Sequence, residues 1–222
     1  MNRTAALLAS TFLATAFAAS PLAQLEEAMS HDGLAKISVK GIDLAYARPG
    51  ATLAGYNKVK IDPVEVAFRK DWDPTRTGSN LKLRAEDRER IRTGVAQIVR
   101  EELVKALEAK GGYPVVDAAG PDVLRVRASI ANLYVTAPDT REAGISRTYV
   151  VSAGEMTLVM ELFDSETGQV LARVVDRDEA RGTGGLSISN SVMNAGEAQN
   201  IASRWARILR NGFDKAHGIG KK

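Results

Sequence analysis

Residues 156–175 read MTLVMELFDSETGQVLARVV. Two runs of alternating apolar and polar residues flank Asp164-Ser165-Glu166-Thr167-Gly168-Gln169, a segment of turn-forming residues. A three-residue loop of Glu166, Thr167 and Gly168 fits a type I turn closed by a left-handed residue. That loop sets Ser165 opposite Gln169, then Phe163 against Leu171, Glu161 against Arg173 and Val159 against Val175. An ion pair and two apolar pairs support the register, and a slip of one residue would set polar against buried positions. An antiparallel hairpin here argues against a doubly wound sheet, in which strands alternate with crossover helices.

Working outward, the first arm of the hairpin extends back to about Tyr149, with Met156, Leu158, Met160 and Leu162 on its buried face. Before it, residues 122–135 predict a strand with Leu124, Val126, Ala128 and Ile130 on one side and Arg125, Arg127 and Ser129 on the other. Two stretches change to the helical period. Over residues 85–110, Ile91, Val95, Ile98, Leu103 and Leu107 form one stripe, acids lie near the start, Lys105 and Lys110 near the end, and Gly111-Gly112 supplies the stop. Near the carboxyl end, Ala198, Ile201, Ala202, Trp205, Ile208, Leu209 and Phe213 trace an apolar face, and Asn194 with Glu197 predicts a capping box at its start. Residues 34–47 read as extended with a break at Gly41; Val59 and Ile61 alternate with lysines in a half-wet strand; residues 113–117 form a short strand or its approach. Pro63 lacks an amide donor and marks a bulge, an edge or a change of pairing. Residues 71–80, 138–146 and 181–187 read as polar connections. Two helices with single apolar faces need one sheet surface to cover, so the expected fold is α+β: a two-layer sandwich, a largely antiparallel sheet covered by two long helices.

The amino terminus predicts export. Arg3, an uncharged run over residues 5–19 and the small-residue signals Ala16-Phe17-Ala18 and Pro21-Leu22-Ala23 are the three parts of a secretory signal. The apolar run is shorter than the roughly 20 residues that span a bilayer. The expected organisation is a signal peptide over 1–23 with cleavage between 18 and 23, a flexible segment over 24–33, one domain over 34–217 and a disordered tail over 218–222. Of all residues 45% are hydrophobic, 5% aromatic and 26% charged, which is ordinary for a globular domain with a mostly aliphatic core. A formal charge of +3 is too mild to imply nucleic acid. There is no cysteine, which excludes disulfides, a thiol nucleophile, thiolate metal ligation and a thioether lipid anchor.

Few residues offer chemistry. His31 and His217, the two histidines, lie in peripheral stretches and read as surface residues, so neither a histidine triad nor a multi-histidine metal site is expected. Asp71-Trp72-Asp73-Pro74-Thr75 opens like a calcium loop, but Arg76 and Lys82 stand where glycine and glutamate are needed. Gly182-Thr183-Gly184-Gly185 lacks the lysine of a phosphate loop. Asp62, Glu65, Asp176, Asp178 and Glu179 could supply a carboxylate pair for hydrolysis, although residues 176–181 read more simply as a solvated strand end. Arg204, Arg207 and Arg210 form a row on the last helix that could meet an acidic partner or anionic surface, or serve only as its solvated face. No catalytic, metal-binding or cofactor-binding residue is assigned.

Several segments together resemble a bacterial family, domain of unknown function 3313: Tyr46-Ala47-Arg48-Pro49-Gly50, residues 55–64, Trp72, residues 121–127, Met156 to Phe163 with the Thr167-Gly168 turn, and Trp205-Ala206-Arg207. The resemblance spans nearly all of the chain after the signal. It implies an envelope protein; many members are lipoproteins, a pattern from which this chain departs for want of a cysteine to acylate. The expected function is therefore that of a non-enzymatic periplasmic protein binding another envelope component through a sheet edge or the basic helix face. Alternatives are a small carboxylate-dependent hydrolase, favoured by two acids converging in a pocket, or a carrier of a small apolar ligand, favoured by an apolar cavity between helices and sheet. No transmembrane segment is expected, and oligomeric state stays open.

Overall fold

The computed structural model describes residues 30–71, 85–136, 152–179 and 191–219. The expected signal peptide, most of the Trp72 loop, the connection at 138–146 and the glycine loop at 182–185 lie outside them. The elements run β1 (Ala35–Ile37), β2 (Leu44–Ala47), β3 (Lys58–Ile61), β4 (Glu65–Phe68), α1 (Ala85–Glu108), β5 (Val123–Thr136), β6 (Ser152–Asp164), β7 (Val170–Glu179) and α2 (Ser191–Ala216). They form a mixed α+β fold: one seven-stranded sheet in the order β1-β2-β7-β6-β5-β3, with β4 also on β5. All pairs are antiparallel except those of β3 and β4, which run parallel to β5. Pro63 explains the split edge, since β3 and β4 are two pieces paired along the same side of β5 and interrupted where no amide is available.

The hairpin carries the expected ladder in its body, where Glu161 lies opposite Arg173 and Val159 opposite Val175. Near the turn the reading shifts. The register slips between Leu162 and Phe163, so Phe163 faces Val170 rather than Leu171. The Asp164 amide donates to the Gln169 carbonyl and the Gly168 amide to the Asp164 carbonyl, which makes the loop Ser165–Gly168, one residue longer than expected. Gly168 takes the left-handed conformation (φ 69°) that this turn requires. Asp164 holds the loop from inside by accepting from the amide and hydroxyl of Thr167 and the amide of Glu166. These donors, those of Thr167 foremost, hold its carboxyl below the usual range.

Both helices pack on one sheet face, and Val95 and Ile201 are buried in the same core as Leu124, Val126, Ala128 and Ile130. Within α1, Val99 is the buried residue where Ile98 was expected; Ile98 sits at the margin. Their adjacency in sequence rotates the core line by one position, which periodicity alone does not resolve. α2 begins at Ser191, so Asn194 lies inside the helix and not at its cap. On the opposite face Leu34, Tyr46 and Val175 form a small second cluster.

The helices do not cover the whole sheet. α1 packs over β4 and α2 over β6. β1 is three strands beyond β6, about 14 Å away at the usual strand spacing. A helix with its side chains reaches only about 5–6 Å from its axis. The β2–β1 end of the apolar face therefore lies beside α2, not under it.

Candidate functional site

The register across this uncovered end sets two rows on the helix face. One runs Met160–Val174–Ala45–Ile37 and the next Leu162–Ala172–Ala47–Ala35. The first row ends on Ile37, and the second is alanine beyond Leu162, where Ala172 and Ala47 form a low floor beside the helix. The result is a cavity of about 250 Å³ between this floor, the segments around Ile42 and Leu53, and Trp205, Ile208, Leu209 and Gly212 of α2. Thr52 is the one residue of its lining with a polar side chain besides Tyr46 and Trp205. Ile37 stands 44% exposed on the edge strand of this lining.

A polar cleft lies beside the cavity. Ile42 belongs to both, and the cleft is otherwise lined by Gly41 and Asp43, residues 176–178 of β7, and Glu197, Asn200, Ile201, Arg204 and Arg207 of α2. Gly41 makes the turn between the two spaces with a left-handed backbone (φ 82°). A Cβ there would touch Ile208 on the cavity side at 3.5 Å and Arg204 on the cleft side at 4.0 Å. The partition between apolar and polar sections is one stretch of backbone thick.

A charge cluster fixes that partition. Asp176 is only 3% exposed, and its carboxylate accepts from Arg204 Nη2 (2.6 Å), the Trp205 indole (2.7 Å) and the Asp43 amide (3.1 Å). Asp43 returns the link by accepting from the Arg177 amide at 2.9 Å. Arg204 also donates to Asp178 at 2.7 Å and to the Gly41 carbonyl at 2.8 Å. Burial opposes the charge on Arg204, but hydrogen bonds and attraction from Asp176, then Asp178, outweigh it and hold the guanidinium more firmly protonated. A buried carboxylate needs this many donors to be tolerated at all. Asp176 is thus a buried anchor, which corrects the expectation of a solvated strand end.

The row of arginines divides. Arg204 joins the cluster just described. Arg210 pairs with Asp214 at 2.8 Å and donates to the carbonyls of Ala106, Leu107 and Ala109, closing the end of α1. Arg207 is exposed, lines the polar cleft, and donates to the Ser203 carbonyl of its own helix. The three are not one free basic face, because two of them bind the molecule's own acceptors.

The carboxylates divide as well. Asp62 is clasped by Arg125, with contacts from 2.8 to 3.0 Å, and Glu65 lies exposed on β4. Glu179 is the last residue of β7. Asp176 and Asp178 do converge in a concave space, but on Arg204, which donates to both of them at 2.6 and 2.7 Å. His31 is exposed, as expected; His217 is not a plain surface residue, since its ring stacks near Phe213 and lies 3.3 Å from the Tyr113 hydroxyl. Among the described residues no cluster of three or more His, Asp or Glu is arranged to hold a metal ion, and no helix is long and apolar enough to cross a membrane.

The family described as protein of unknown function (DUF3313) matches residues 24–209. The chain belongs to it. No curated protein is significantly similar to the chain. Among solved structures, a DUF330 protein from Xanthomonas campestris is 13% identical, with 78% of this chain and 91% of that one covered and a TM-score of 0.41. The PelC dodecamer from Paraburkholderia phytofirmans is 13% identical over 75% and 98% of the two chains, with a TM-score of 0.37. A putative lipoprotein from Caulobacter crescentus is 12% identical over 77% and 98%, with a TM-score of 0.35.

Proposed function

We propose that this DUF3313 protein is an exported binding protein of the bacterial envelope, which holds an apolar group in the cavity between α2 and the β7–β2–β1 end of the sheet. One observation carries the reading: a hollow of about 250 Å³ with an almost wholly apolar lining, where a domain without a ligand would be close-packed. An engineered cavity of about 150 Å³ already takes benzene, so this one has room for a larger ring or a length of hydrocarbon chain. Each buried methylene is worth about 0.8 kcal/mol, enough for micromolar affinity from a medium chain. Export and a periplasmic destination rest on the signal-like residues 1–23. Docking of an envelope partner or an anionic surface through the last helix falls to Arg207, since Arg204 and Arg210 are engaged within the molecule.

The test is titration of the mature protein with N-phenyl-1-naphthylamine, a neutral apolar fluorophore, followed by displacement with decanol. Saturable fluorescence that Gly212→Leu abolishes is the expected result, because a side chain at this position meets open space at the cavity wall. Absence of saturable uptake, or uptake unchanged in Gly212→Leu, overturns the reading.

A further inference from the structure

The outer wall of the cavity is fastened from the far side of the sheet. Ile37 and Val39 line the cavity from β1 and the segment that follows it. β1 ends the sheet, all three of its residues are exposed, and among the described residues it pairs with β2 alone. Of residues 30–41, Leu34 alone is buried, clustered with Tyr46 and Val175 on the face away from the helices. Just before it, the Asp32 carboxylate accepts from Arg173 Nη2 at 2.6 Å and the Asp32 carbonyl from Arg48 Nη2 at 2.9 Å. Asp32 and Gly33 both take left-handed backbone (φ 48° and 72°), which turns the chain from this clasp towards β1. None of Asp32, Leu34, Arg48 and Arg173 belongs to the cavity lining.

This wall is held unequally at its two extremities. After it, the Gly41 carbonyl accepts from Arg204 and the Asp43 amide donates to Asp176, a buried carboxylate. Before it, the clasp is one exposed ion pair, one hydrogen bond to a carbonyl and a single buried leucine. Exposed pairs contribute little and are screened by salt, whereas breaking a buried one is costly. The Asp32 side therefore releases first, and the left-handed Gly41 is where the wall swings. Resting on the reading of the cavity as a binding site, we infer that residues 30–34 are a latch on that site. While Asp32 and Leu34 are seated, β1 keeps Ile37 in the cavity wall and the bound apolar group is retained. When they lift, β1 parts from β2 and the group leaves.

The experiment is stopped-flow release of bound N-phenyl-1-naphthylamine from the mature protein into excess decanol. Leu34→Ala and Asp32→Asn, both outside the cavity lining, should speed release, Leu34→Ala by about tenfold. The decisive variant joins Ala35→Cys to Ala47→Cys, directly opposed across β1 and β2 in a chain with no other cysteine. Opposed residues of an antiparallel pair lie within disulfide reach. Oxidation should slow release about tenfold by blocking this local opening, and reduction should restore it. In the oxidised form Leu34→Ala should have no further effect. Equal release from the oxidised and reduced forms, or release that neither Leu34→Ala nor Asp32→Asn speeds, overturns the latch and leaves the cavity reading standing. Failure of the parent to take up the fluorophore overturns both.

Discussion

Over β5 and β6 the apolar face meets two helices and carries Leu124, Val126, Ile130, Met156 and Leu158, all essentially inaccessible. Over β2 and β1 the same face carries Ala45, Ala47 and Ala35 with Ile37 at the edge, and the flank of one helix lies beside it. Both ends obey the same alternation and the same chemistry of apolar side chains. They differ in the number of layers above and the volume of the residues below. In this fold the interior is completed where two helices overlap the sheet, and the molecule leaves space where the sheet is wider than its cover.

Truncating the two ends should expose that difference most clearly. Leu103 of α1 is fully buried, and Leu103→Ala should cost about 4 kcal/mol, from lost transfer energy and the void left behind. Ile208→Ala, at a wall that already borders empty space, should cost about 1 kcal/mol. Chemical denaturation of the two variants measures both values. Equal losses would mean that the groove end is as tightly packed as the rest, and the contrast would be lost.

Next in size is the clasp between the ends. Asp176→Ala strips the acceptor from Arg204, the Trp205 indole and the Asp43 amide together, and should destabilise by about 3 kcal/mol. Asp176→Asn keeps an amide oxygen for these donors and should lose less. A melting temperature unchanged in Asp176→Ala would show that the cluster does not fasten the Gly41–Asp43 partition.

The covered end was legible in the sequence and the groove was not, for a physical reason. Glu161 with Arg173 and Val159 with Val175 are joined by a short turn, so their pairing follows from alternation and loop chemistry. Ala45 and Val174 are partners across a gap of more than a hundred residues, which no local pattern sets. Each alanine of the floor is unremarkable alone; the hollow arises only when β2–β7 pairing places Ala47 beside Ala172. Asp176, Asp178 and Arg204 all stood out as charged residues, yet alternation on a strand end and the polar side of a helix read the same whether solvent or a partner faces them. The one available signal was Trp205 next to Arg204 on a helix that had to pass a strand ending in Asp176-Arg177-Asp178. It identified the residues and not their contact.

Filling the groove should act in the opposite sense to emptying the core. Gly212→Leu replaces a helical glycine where a side chain has room, and should stabilise by about 1–2 kcal/mol through helix propensity and added apolar contact. Gly196→Ala, in the same helix and also meeting open space, supplies the propensity gain without approaching the cavity, and should gain about 1 kcal/mol at most. Thermal melts separate the two, and only Gly212→Leu should lose the apolar probe. Loss of stability in Gly212→Leu would indicate that the space is not there.

The smallest effect belongs to the well-packed end and is read by pH. The Tyr56 hydroxyl donates to Asp164 at 2.9 Å, tying the approach to β3 to the hairpin. Burial first, then the hydrogen bond to the Asp164 carboxylate, pushes this phenol up to about 12. The folded state therefore keeps a proton that the unfolded chain releases near pH 10. Its contribution is complete below pH 10 and is lost as pH rises through 12, because the unfolded state binds fewer protons across that interval. With Tyr56 partly accessible, solvent screening reduces the effect to below about 1 kcal/mol. Tyr113 is also raised, by burial and by Asp214, so the whole alkaline decline is shared and only a difference isolates Tyr56. Stability curves of the parent and Tyr56→Phe, measured from pH 8 to 12, should lie apart at pH 8 and draw together above pH 10. Parallel curves would mean that the bond to Asp164 does not hold the proton, and that this seam relies on packing alone.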